Sequence, residues 1–270
     1  MKNFPVSSST HLGYNIPALI DEATESLFNL NPERNFTHVI ADLGYPLGQY
    51  RETWDIVPQF IPINKRKNAI SIIDTATLHK SDCVRIPNRG VSGNWTQIAY
   101  LYDIGRGDVL IGADPDERPM DAGWVDAMAK VMQGDSSIAI VSLALPELLA
   151  LDGFFEKYFW GEREINGVRV WEGRHMCQWA LIGISGNFIQ AVGGVPSPEV
   201  APLYGWIETA CDAHMKKLGM KWVMLPDYRV QHIASSPLAQ EWKNWMVGPG
   251  MDLGQITFEQ WLREYKGAKG

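Results

Sequence analysis

Asp114 and Asp116 stand two residues apart with Pro115 between them, in the segment GADPDERP. Such a pair suits a hard divalent cation, Mg2+ or Mn2+, which takes oxygen ligands and leaves most of its positions to phosphate and water. A cation held this way stabilises a diphosphate as it departs. Two further residues fit the same chemistry. His232, in LPDYRVQHIA, offers an imidazole, a donor better suited to Mn2+ than to Mg2+. Glu208, in YGWIETACDAHMKKLG, offers a carboxylate that can take a proton from an attacking hydroxyl. Each also has an ordinary explanation. With 16 aspartates in 270 residues, roughly one Asp-x-Asp arises by chance, and an Asp can simply cap a turn. A lone His near a strand end is usually structural. A carboxylate in the first turn of a helix is favoured by the helix dipole whatever else it does.

Context gives the aspartate pair its weight. VLIGA before it reads as a buried strand, ERP after it ends in a strand-stopping proline, and DAGWVDAM opens a helix. Carboxylates just past the carboxyl end of a strand in an open α/β sheet stand where ligands bind.

The elements that must position these residues follow from the pattern of the chain. FPVSSST reads as a first strand, 16–30 as a helix with Pro17 in its first turn, and 36–44 as a second strand ending in Asp42 and Gly44. Residues 46–62, with Pro46, Pro58 and Pro62, read as loop. Residues 68–77 and 83–87 are strand candidates, and 94–104 is a helix. Asp121 is expected to cap a helix running to about Met132, with Trp124, Met128 and Val131 on one face. SSIAIVSLAL is a strand, 146–175 has no clear type, and CQWALIGISGNFI is strand-like. FIQAVGGV is a short helix, and 203–218 is a helix closed by Gly219. MKWVMLPDYRVQHI supplies a strand or two, and Trp-rich helices near 240–247 and 257–266 finish the chain. Alternating strands and helices in the first half imply a largely parallel sheet in one domain.

Composition narrows the classes. Hydrophobic residues make up 46% and charged residues 20%, as in ordinary globular proteins. No apolar run approaches the roughly 20 residues that span a bilayer. The N-terminus lacks a signal peptide's apolar core, which points to the cytoplasm. Cys83, Cys177 and Cys211 are odd in number and unpatterned, so reduced thiols are expected. The net charge of −7 argues against a duplex nucleic-acid binder. Most of the 11 tryptophans are expected to fill core, with some left to stack on a sugar ring.

Three blocks, in order, resemble the family 2 glycosyltransferases of the GT-A fold. NRG, the Gly-Asp turn and DPDERP are similar to that family's Asn-x-Gly, Gly-Asp and DxD region. GNFIQAVGGVP is similar to its segment leading to paired glycines. LYGWIETACDAHMKKLGMKWVMLPDYRVQH is similar to the helix bearing the acidic "ED" motif and the strand ending in P-D-x-x-V-x-H. The likeness covers about 1–235 and is strongest in 84–126 and 185–232.

The resemblance implies a Rossmann-like nucleotide-diphospho-sugar transferase fold, with a mixed, mostly parallel central sheet flanked by helices. The GT-A domain would span 1–235, with a nucleotide-binding half over about 1–120 and an acceptor-side half over 121–235. Residues 236–270 would form a helical extension, where Trp242, Trp245 and Trp261 could cover the acceptor, form a contact or simply pack. The resemblance also implies roles. Asp116 would bind Mn2+ or Mg2+, Asp114 would face the metal and the ribose or sugar, and His232 would complete the metal site. Asp42 would hold the nucleobase, and Asn88 and Gly90 would lie near base and ribose. Glu208 would be the general base of an inverting transfer from a nucleotide sugar. Tyr14 and Asn15 loosely resemble a Tyr-Asn pair after the first strand. Ile207 departs from the family by replacing the first acid of "ED", and Glu208 stands where the family has Asp, which leaves a retaining outcome open. UDP is the first choice of nucleotide, with GDP second. The acceptor stays open among a glycan, a protein side chain, a lipid-linked sugar and a modified base. Two other readings compete: a nucleotidyltransferase acting on sugar phosphates, and a non-catalytic sugar- or partner-binding protein of the same fold. The first should carry a Gly-rich basic loop after strand one, and SSSTHLGYN has neither feature.

Overall fold

A computed structural model describes residues 6–12, 26–27, 29–31, 36–42, 82–85, 93–103, 105, 107–114, 117–178, 180–193 and 207–232. The elements in chain order begin with β1 (Val6–Leu12), β2 (Phe36–Asp42), β3 (Asp82–Arg85) and α1 (Gly93–Asp103). They continue with β4 (Val109–Ala113), β5 (Glu117–Pro119), α2 (Trp124–Gly134), β6 (Ile138–Ala144), α3 (Pro146–Leu149) and α4 (Phe154–Tyr158). The last six are β7 (Phe159–Ile165), β8 (Val168–Gly173), β9 (Ile182–Ser185), α5 (Gly186–Val192), α6 (Ile207–Leu218) and β10 (Lys221–His232).

These strands form one sheet in the order β3-β2-β1-β4-β9-β6-β10-β8-β7, and β5 pairs with the end of β10. Among the described residues, four pairings are parallel: β1·β2, β1·β4, β2·β3 and β6·β10. Five are antiparallel: β4·β9, β6·β9, β8·β10, β7·β8 and β5·β10. The expectation of a mostly parallel sheet therefore holds for β3-β2-β1-β4 and for β6·β10, and is corrected elsewhere. After β6 two short helices, α3 and α4, lead into a hairpin rather than into another parallel strand. In that hairpin Asn166 (φ 48°) and Gly167 (φ 78°) sit between paired Ile165 and Val168. Positive φ at both positions marks a type I′ turn, for which Asn-Gly is the preferred sequence.

The middle strands are covered on both faces. All residues of β4 (VLIGA) and β6 (IAIVSLA) are buried, which explains their unbroken apolar runs. Side chains of β4 and β10 alternate between two cores. Val109, Ile111, Val223 and Leu225 face one core with Trp124 and Met128 of α2. Leu110, Trp222 and Met224 face the other with Trp95 of α1, Phe188 of α5 and Cys211 of α6. Trp95, Trp124 and Trp222 thus fill core, whereas Trp160 is 67% exposed. The second core leaves no slack at Gly173, where an added Cβ would lie 1.9 Å from Trp222 Cε3. Trp222 is itself fixed, because its indole N–H donates to Ser142 Oγ at 3.0 Å. Gly173→Ala should cost about 1–3 kcal/mol by overpacking, read as a lower urea midpoint at unchanged slope.

One helix start differs from the sequence expectation. α2 begins after Gly123 in the left-handed region, with no side-chain cap. Asp121 is engaged by Arg229 instead. The helix at 16–30 is described only around Leu27, which is buried. The strand candidate 68–77, the first four residues of the helix at 203–218 and the C-terminal helices lie outside the described residues. No described helix is long and apolar enough to cross a membrane.

Candidate active site

The parallel strands bring their carboxyl ends to one edge. Leu12 of β1 is in register with Asp42 of β2, Asp42 with Arg85 of β3, and Thr10 of β1 with Ala113 of β4. Asp42, the last residue of β2, and Asp114, just past β4, therefore stand at the same edge. β1 lies between them, so two strand spacings of about 5 Å each separate them. That edge is the position expected for both residues.

The aspartate pair sits on a closed turn. Glu117 N–H donates to the Asp114 carbonyl (3.1 Å), which is the bond that closes a β-turn. Asp114 N–H in turn donates to Glu117 Oε2 (2.8 Å). Pro115 and Asp116 are the two residues of the chain between these bonded ends. Residues 115 and 116 lie outside the described set. Glu117 is 2% exposed, and one of its oxygens serves the turn. Sequence reasoning passed over Glu117. No separate signal for it stands in the sequence, since Glu117 and its neighbour Arg118 are both charged and both buried.

β10 carries His232 to this turn. It runs beside β6 from Lys221 to Leu225 and resumes with Arg229 opposite Ala144, so Pro226, Asp227 and Tyr228 bulge out. A bulge bends its strand and re-aims the residues beyond it. Past this one β10 leaves the main sheet and pairs with β5, placing Val230 opposite Pro119, Gln231 opposite Arg118 and His232 opposite Glu117. His232 thus faces the residue immediately after Asp116. Asp227, at the bulge, is gripped by Arg169 of β8, whose Nε donates at 3.0 Å. That ion pair holds the Asp227 carboxyl below its ordinary pKa.

Glu208 reaches the same edge by a different route. α6 joins β10 through Gly219, in the left-handed region, and Met220. α6 therefore runs back against β10, with its first turn and Glu208 at the carboxyl edge. One turn further, Asp212 accepts from Met176 N–H (2.9 Å) and Lys216 Nζ (3.4 Å), and lies 3.0 Å from His175 Nδ1. Asp212 is thereby committed to holding the 174–178 segment on the helix. The half-buried Glu208 side chain makes no hydrogen bond or ion pair to another described residue. Burial pushes the nearby Cys177 thiol up to about 12, with the Asp212 and Glu208 charges adding to the shift. Burial and the Glu208 charge also raise Cys211 well above its ordinary range. Both thiols are free and protonated at neutral pH, which removes them as nucleophiles.

Of the sequence-derived candidates, Asp42, Asp114, His232 and Glu208 come to one edge of the sheet. Asp116, Asn88, Gly90, Tyr14, Asn15, Trp242, Trp245 and Trp261 lie outside the described residues. Among the described residues no three acidic, His or Cys side chains form a metal-binding group. Asp114 and His232 are both half-buried, and His232 pairs with Glu117, which Asp114 bonds; their carboxylate and imidazole are the donor types in question. That donor set fits Mn2+.

No family model matches the chain, and no curated protein sequence is similar to it. Solved structures are similar to it. One is the mannosyltransferase PcManGT from Pyrobaculum calidifontis, in complex with GDP-Man and Mn2+. It has a TM-score of 0.57 and 12% identity over 89% of this chain and 60% of that one. Another is GalNAc-T7 with UDP, GalNAc and Mn2+, at TM-score 0.56 and 13% identity over 85% of this chain and 43% of that one. S. aureus TarS matches at TM-score 0.52 and 11% identity over 83% of this chain and 36% of that one. The fold of this chain is the GT-A fold. The chain spans less than two thirds of the length of each of these structures.

Proposed function

We propose that the protein is a metal-dependent glycosyltransferase that moves a sugar from a nucleotide-diphosphate sugar to an acceptor hydroxyl. The convergence of the Asp114 turn, His232 and Glu208 at the carboxyl edge of a GT-A sheet carries this reading. Two of the similar structures hold a nucleotide or nucleotide sugar together with Mn2+. UDP is our first choice of nucleotide and GDP our second.

In this reading Asp42, Asn88 and Gly90 receive the base and ribose, and Asp114, Asp116 and His232 hold the metal. Bound Mn2+ or Mg2+ would supply charge neutralisation to the departing diphosphate. Glu208 orients the acceptor hydroxyl and takes its proton as the oxygen attacks the anomeric carbon. A C–O bond forms to the acceptor, the anomeric C–O bond to phosphate breaks, and the nucleoside diphosphate leaves. Direct displacement inverts the anomeric centre.

The test is product release from UDP-glucose, UDP-GlcNAc, UDP-galactose and GDP-mannose, with Mn2+ and with EDTA. Slow metal-dependent release of UDP or GDP from one donor without acceptor is expected. Pyrophosphate released from UTP or GTP plus a sugar 1-phosphate would instead identify a nucleotidyltransferase.

A further inference from the structure

His232 sits on the end of a strand that has left its sheet, and the β5·β10 ladder holding it is only three residue pairs long. So short a ladder is weak on its own, so a metal ligand placed there needs further support. Arg229, three residues before His232, provides it. Asp121 Oδ2 accepts from the Arg229 backbone N–H (2.7 Å) and from its Nε (3.1 Å), and Oδ1 accepts from Nη2 (2.8 Å). The Arg229 carbonyl accepts from Met120 N–H (2.9 Å). Residue 229 is therefore held by its side chain and by both backbone polar groups.

We infer that Asp121 is a positioning residue for the metal site, acting through Arg229 to set His232 against the Asp114–Glu117 turn. This inference rests on the metal site of the proposed function. Asp121 follows Asp116 by five residues, so the bonded pair joins the two chain segments that bear the ligands. Arg229 is half exposed, and as a surface ion pair it would contribute little to stability. Its planar two-pronged contact gives geometry instead, because a guanidinium bonded through Nε and Nη2 cannot swivel. Partners of this kind around a metal ligand typically change metal affinity 10–100-fold. The Arg169–Asp227 pair holds the far side of the same bulge, leaving the Asp121–Arg229 contact to fix the emerging strand.

The test is a double-mutant cycle on Mn2+ affinity, measured by EPR on the full chain for wild type, Asp121→Ala, His232→Ala and the double variant. Asp121→Ala should weaken Mn2+ about 10-fold or more, and should add nothing once His232 is gone. Unchanged affinity in Asp121→Ala, or the same loss in both backgrounds, overturns the inference. Wild-type affinity in His232→Ala also overturns it, by removing the ligand it acts on. Asp116→Ala in the same assay then shows whether the metal reading itself survives. Circular dichroism checks the fold. If Asp121→Ala does not fold, Arg229→Lys takes its place in the cycle, keeping the charge and the backbone bond while losing the two-pronged contact.

Discussion

Replacing Asp116 with Ala is expected to abolish Mn2+-dependent nucleotide binding. Asp116 follows Asp114 in the chain by two residues, and the backbone bond nearest it runs from Glu117 N–H to the Asp114 carbonyl. That bond does not involve the Asp116 side chain, and neither does the reciprocal bond from Asp114 N–H to Glu117 Oε2. The variant should keep its turn, its β5·β10 ladder and its melting temperature. What it loses, in the proposed site, is one carboxylate ligand of the metal. The expected drop in Mn2+ affinity exceeds the roughly 10–100-fold typical of residues that only support a ligand. Titration with UDP and GDP in the presence of Mn2+ reads this directly. Binding like that of the wild type would refute the metal assignment.

Glu208→Gln should separate donor binding from transfer. Glutamine keeps the length and shape of the side chain and its place in the first turn of α6, but it cannot accept a proton. The helix would lose at most about 0.3–1 kcal/mol of dipole stabilisation, and the bonds of Asp212 to Met176 and Lys216 still hold the helix against the 174–178 segment. Nucleotide affinity should therefore stay the same, while the transfer rate falls about 10²–10⁴-fold, the usual contribution of a general base. The loss belongs in kcat at saturating donor, since the interaction arises only as the acceptor attacks. Full transfer activity would eliminate Glu208 as the base.

Much of the fold was legible where local pattern and tertiary role coincide. β4 and β6 are unbroken apolar runs because both of their faces are covered. α6 ends at Gly219 because the chain turns there through positive φ. Asp42, Asp114, Glu208 and His232 reach one edge because strand direction and helix connection fix which end of each element is which. Other features depend on partners distant in sequence. Asp121 has the composition of a helix cap, yet it serves Arg229, 108 residues away. The β10 bulge was only half legible: Pro226 left open whether 220–233 held one strand or two, and only pairing with β6 and β5 shows one strand with a break. The β7–β8 hairpin was not read from the sequence: Asn166-Gly167 carries the turn signal, but charged and aromatic neighbours masked the period-two pattern. Glu117 shows the general difficulty: its carboxylate sits in the motif segment, and only the bond from Asp114 N–H shows that it supports the turn.

The most direct test of a metal-dependent nucleotide-sugar site is calorimetric titration of the full chain with UDP, GDP and CMP, each with Mn2+ and with EDTA. Micromolar binding of UDP or GDP that appears only with Mn2+ is the predicted result, and it also names the donor class. A well-folded sample that binds none of the three, or binds them equally with and without metal, would contradict the account.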